Sequence, residues 1–119
     1  METGYPDGAA TLVCLSDGTT SLYTSSGGGI IGGGSHESVV RQTEKLLQVV
    51  DGHLAQMAEA VDQSLPADGY TIIRALTREG PRTYQALEVD LGKGRSVMSP
   101  VFYAAHDVIT QLRLIESKR

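Results

Sequence analysis

The stretch Ser25-Ser26-Gly27-Gly28-Gly29-Ile30-Ile31-Gly32-Gly33-Gly34-Ser35-His36-Glu37 decides how this chain folds. It holds six of the fourteen glycines within eight residues. The residues before it alternate as strands do, and those after it recur at helical spacing. Glycine loses more backbone freedom on folding than any other residue, so a run of it needs a geometric reason. Two reasons compete. The first is a ligand: Gly27-Gly28-Gly29-Ile30-Ile31-Gly32 fits the pattern GxGxxG, with Asp51 about 20 residues on, as a dinucleotide site requires. Bare glycine amides leading into a helix N-terminus attract phosphate. The residues such a ligand would meet are Gly29, Gly32, Gly33, Gly34, Ser35, His36 and Glu37. The second reason is architecture: a β-edge, bulge or tight crossover, with Ile30 and Ile31 as apolar anchors. Architecture outweighs the ligand, because Asp51 falls inside a helical pattern and not at the end of a second parallel strand. No lysine follows the last glycine, so the stretch is not a P-loop.

Upstream, residues 1–8 read as a loose, turn-rich arm. Ala9–Leu15 and Thr19–Ser25 read as a hairpin about Asp17-Gly18, a pair suited to a two-residue turn with positive φ. That turn predicts Val13 opposite Leu22 and Leu12 opposite Tyr23. One face would carry Val13, Leu15 and Leu22, and the other Leu12, Cys14 and Tyr23. Both faces are then partly apolar. The candidate interface residues are Leu12, Leu22, Tyr23, Ile30 and Ile31.

Downstream, Ser35 is the expected N-cap, with Glu37 at the positive end of the helix dipole. Val39, Thr43, Leu46, Leu47, Val50, Leu54, Met57 and Val61 recur at three and four, predicting one amphipathic helix that continues past Gly52. Tyr70–Thr77 and Arg82–Val89 form a second predicted hairpin. A basic glycine-bearing loop, Asp90–Ser96, follows. Ser99-Pro100 starts a last helix whose apolar face is Val101, Phe102, Ala105, Val108, Ile109, Leu112 and Ile115. The order is ββαββα. It predicts an α+β domain over residues 9–119, with an antiparallel sheet and two helices in two layers.

Composition narrows the function. The chain has 119 residues, 40% hydrophobic and 20% charged, which suits one globular domain. A net charge of −4 argues against a phosphate-backbone binder, so no nucleic acid is expected. The single cysteine, Cys14, lies in an apolar run and fits a reducing cytoplasm. No apolar stretch approaches the roughly 20 residues of a membrane span. His36 and His53 stand roughly 25 Å apart on one helix and cannot share an ion, so no metal is expected. No GxSxG elbow or convergent acid–base set is visible, so neither catalytic residues nor a cofactor are assigned. Arg74 lies mid-strand among apolar neighbours, with Glu88 or an external acid as its expected partner.

The hairpin over Leu12–Leu15, Asp17-Gly18 and Leu22–Tyr23, the helix from Val39 and the helix over Val101–Ile115 follow one another as in the roadblock and dynein-light-chain family, which this chain resembles in order of elements. It also resembles small bacterial proteins with such a glycine run. The roadblock resemblance implies a profilin-like layer of sheet and helices. It further implies a homodimer without chemistry of its own, acting as a platform for small GTPases. A subunit of a larger complex is a separate reading that the sequence does not distinguish from the first. Where that family opens on a helix this chain shows none, and no segment reads as its fifth strand.

Overall fold

A computed structural model describes residues 1–30, 32–59 and 64–117. The chain is α+β, and all the strand pairings of its sheet are antiparallel. In chain order the strands are β1 (Glu2–Tyr5), β2 (Gly8–Cys14), β3 (Thr20–Thr24), β4 (Gly29–Ile30), β5 (Ala58–Glu59), β6 (Tyr70–Thr77) and β7 (Gly80–Leu87). They lie side by side as β4-β3-β2-β1-β6-β7-β5. The helices are α1 (Glu37–Asp51), α2 (Glu88–Gly92) and α3 (Ser99–Ser117). Among the described residues, no helix is long and apolar enough to cross a membrane.

The expected arm is instead the centre of the sheet. β1 joins the two hairpins, pairing Thr3 with Ala10 on one side and with Thr71 on the other. The buried hydroxyls of Thr3 and Thr71 bond across that junction at 2.9 Å. Gly4 is required there, because a Cβ on it would come within 2.2 Å of the Ala67 carbonyl oxygen. The chain over 64–69 thus crosses close to β1, with the Gly69 N–H donating to Gly4 O at 3.0 Å. Arg74 meets Glu2 at 3.6 Å and donates to Ser64 O at 2.6 Å. Among the described residues, a carboxylate partner of Arg74 is thus Glu2 of β1, in place of the expected Glu88.

The long helix is shorter than its periodicity predicts. It stops at Asp51, with Gly52 as its C-cap. The last turn then tightens, as the His53 N–H reaches only three residues back to Val50 O at 2.9 Å. A 3₁₀ turn over Leu54–Gln56 carries the chain to β5. Leu54 and Met57 still reach the core, so their spacing reported burial without continued helix. Val61 lies outside the described residues.

Both long helices bury one stripe against the sheet and each other. Val39, Leu46, Val101, Phe102, Ala105, Val108 and Leu112 meet Leu12, Leu22 and Ile73 in one cluster. One polar clasp crosses this layer. The buried hydroxyls of Thr20 and Thr43 bond at 2.7 Å, and Thr20 also donates to Gly18 O at 3.0 Å. The Thr43 hydroxyl also lies 3.9 Å from Cys14 Sγ. The substitution Thr20→Val should therefore strand the Thr43 hydroxyl and cost about 1–3 kcal/mol. Thr20→Val with Thr43→Val should cost less than the sum of the two alone, as read by urea denaturation. Burial pushes the Cys14 thiol above its ordinary range, which disfavours its reactive thiolate form.

Candidate functional site

The glycine stretch makes two tight approaches. After β3 the chain turns at Thr24–Gly28, with Gly27 at φ 98° and the Thr24 N–H donating to Gly28 O at 2.9 Å. Gly29 and Ile30 then return as edge strand β4 beside Tyr23 and Leu22. A Cβ on Gly29 would lie 2.6 Å from the Leu22 carbonyl oxygen. The chain next makes a 3₁₀ turn over Gly33–Ser35. A Cβ on Gly33 would lie 2.5 Å from Leu112 Cδ2, and one on Gly34 would lie 2.8 Å from Gly18 O. These three glycines thus let the crossover press against β3, the hairpin loop and α3. The geometry accounts for them without a ligand.

The polar residues of the stretch also differ from expectation. Ser35 is not the cap of α1; it sits inside the 3₁₀ turn and donates its hydroxyl to Gly32 O at 2.9 Å. His36 takes the N-cap position, with no side-chain bond to the helix end. The 3₁₀ turn supplies the reason: it carries the chain one residue further before helical angles begin. Glu37 is exposed and pairs with Arg41 one turn on. Gly32 is exposed at φ 81°. The structure therefore splits the candidate ligand set. Gly29, Gly33 and Gly34 approach neighbouring chain, while Gly32, Ser35 and Glu37 face solvent and His36 is half-buried.

The candidate interface changes more. Leu12 faces Leu22, not Tyr23, and Val13 faces Ser21. The turn accounts for this. Leu15 N–H donates to Thr19 O at 2.9 Å and Gly18 N–H to Leu15 O at 3.0 Å. Three residues, Ser16 to Gly18, are therefore enclosed, with Gly18 at φ 93°. Asp17 Oδ1 accepts the Thr19 N–H at 2.9 Å, which helps hold its carboxyl below the usual range. One extra loop residue moves the register by one and exchanges the faces. Leu12 and Leu22, 4% and 7% exposed, belong to the core and can meet no partner. Ile30 is half-buried against the same core, and Ile31 lies outside the described residues. Tyr23 is 44% exposed on the sheet face away from the helices. Val13 shares that face, and the chain leaves it at Leu15, 46% exposed. Leu15 is the exposed residue that shares this face with Tyr23, with Val13 half-buried on the same face, a set the two-residue turn does not predict. The signal for them was glycine in the third loop position, which fits a three-residue turn.

The histidines do not converge. His36 precedes α1 and His53 follows it, with His53 Nδ1 2.7 Å from Val49 O. Among the described residues, no three His, Cys, Asp or Glu side chains come together in a way that would hold a metal. His106 is different in kind. It packs against Phe102 with ring centroids 4.4 Å apart. It lies within electrostatic reach of Glu88, Asp107 and Arg113. Tyr5 feels the same Glu88 and Arg113, and burial, then Glu88, pushes its phenol above the ordinary range. The sequence pattern puts Tyr5 in a loose arm and Glu88 in a strand, and nothing in it points to this grouping; in the structure Tyr5 is on β1 and Glu88 opens α2.

The chain matches no protein-family model, no curated protein and no solved structure with which it was compared.

Proposed function

We propose that this chain is a protein-interaction module that pairs with a second copy of itself through the outer face of β2 and β3. The observation that carries the reading is Tyr23, 44% exposed on the sheet face opposite the helices, with half-buried Val13 diagonal to it and exposed Leu15 further along the same face. Tyrosine adds contact area at small entropic loss and is enriched among residues that dominate binding. A two-fold dimer uses the same patch on both copies, so the Tyr23 ring of one copy meets the same face of the other. The glycine stretch then acts indirectly. It fixes β4 beside Tyr23 and Leu22, and so sets the boundary of the pairing face.

The test is the mass in solution. The chain of 12.7 kDa should sediment near twice that mass at micromolar concentration. Tyr23→Lys should weaken pairing by about thirtyfold or more, as loss of a dominant contact does. Because Tyr23 is exposed, the variant should unfold at nearly the same urea concentration as the parent monomer. A monomeric parent, or a dimer indifferent to Tyr23→Lys and Leu15→Glu, refutes the reading.

A further inference from the structure

We propose that His106 is an acid-sensitive latch between α3 and α2: the uncharged ring closes the contact between the two helices, and protonation loosens α2 and uncovers Phe102. Phe102 reaches α2 directly, since a Cβ on Gly92 would lie 3.8 Å from its ring. The Tyr103 hydroxyl adds a bond to Gly92 O at 3.1 Å. His106 stands one helical turn beyond Phe102 and Glu88 one turn before Gly92, and Glu88 lies within electrostatic reach of the His106 ring. The His106 ring tilts at 52° over Phe102, itself buried.

The decisive feature is His106 Nε2. It is buried and has no hydrogen-bond partner. A neutral ring with its proton on Nδ1 leaves only a lone pair there. Protonation puts a charged N–H in the same place, and a buried charged donor without a partner is strongly unfavourable. The surrounding charges pull both ways. Glu88 from α2 and Asp107 from α3 favour the charged ring, while Arg113, two turns on, opposes it. Tyr5 of β1 stays neutral. Burial outweighs these, so His106 titrates below its ordinary 6.5. A histidine displaced downward holds fewer protons folded than unfolded. Its stabilising effect is complete above pH 6.5 and is lost as pH falls through the folded value. α2 is the element that yields. With five residues it is too short to hold its own helix, and it depends on docking.

Two readings on the full chain test this. The first is the titration of the His106 ring by NMR. The second is exchange of the Glu88 and Lys93 amides, which donate to Gly69 O and Val89 O at the two ends of α2. His106 should titrate below 6.5. The opening constant of both amides should rise on acidification, by about tenfold for each pH unit of that displacement. His106→Gln should abolish the rise, and Glu88→Gln should move the titration lower still. Titration of His106 at or above 6.5 overturns the proposal, as does equal protection of α2 at pH 7.5 and pH 5. Should His106→Gln fail to fold, the titration of His106 and the α2 amide exchange of the parent chain decide together.

Discussion

Truncating Leu112 to alanine is expected to remove about 2–5 kcal/mol of stability, the largest loss from any one truncation considered. Leu112 has no exposed surface. It sits on the stripe of α3 that meets the start of α1, and its Cδ2 occupies the space a Cβ on Gly33 would need. The lost methyl groups face the Gly33 backbone, and the space around that position is bounded by Thr20 O of β3 and by Val39, which leaves little room to collapse. Most of the cavity should therefore persist. Urea denaturation should show a lower midpoint with an unchanged slope. A loss below about 1 kcal/mol would mean that α3 does not dock on the glycine stretch.

Gly33→Val is the second large effect, and it separates architecture from ligand binding. A side chain there meets Leu112 Cδ2 at 2.5 Å and Thr20 O at 3.1 Å. The leucine could rotate, but the carbonyl belongs to β3 and cannot. Overpacking of this kind costs about 1–3 kcal/mol, and more where backbone must shift. If the glycines instead served a ligand, Gly33→Val would lose binding and keep its stability. The double variant sharpens the contrast. Gly33→Ala with Leu112→Ala should be more stable than the sum of the single changes implies, because the new methyl enters the space the leucine vacates. Coupling between residues in contact is of order 0.5–3 kcal/mol. Simple additivity would show that the two positions do not share that space.

How far the sequence revealed this fold depends on how much pattern each element carries. α1 from Val39 and α3 from Val101 were legible because each repeats its apolar spacing over several turns. The end of α1 was not, because Leu54 and Met57 keep helical spacing while a 3₁₀ turn carries them to the core. β1 was hidden by its own composition. Its residues are Glu2, Thr3, Gly4 and Tyr5, and its place at the sheet centre comes from threonine hydroxyls and a close glycine, not from an apolar run. β4 and β5 have two residues each and cannot show a period. The first hairpin was legible, but its register was not. Asp17-Gly18 fits a two-residue turn as well as the last two positions of a three-residue one, and that single residue decides which leucines are buried. The same register buries Leu12 and Leu22, so among the described candidate interface residues only Tyr23 is exposed. The meaning of the glycines was legible in kind, as close approach, whereas the neighbours approached, Gly18, Leu22 and Leu112, are remote in sequence.

Pairing through the outer hairpin face is tested most directly by amide NMR spectra of the parent chain across a hundredfold range of concentration. Signals from Thr11, Val13, Leu15, Ser21 and Tyr23 should shift or broaden as the dimer forms, while those of α1 and α3 stay in place. Spectra that do not change with concentration in a monomeric chain would contradict the account, as would changes confined to the helices.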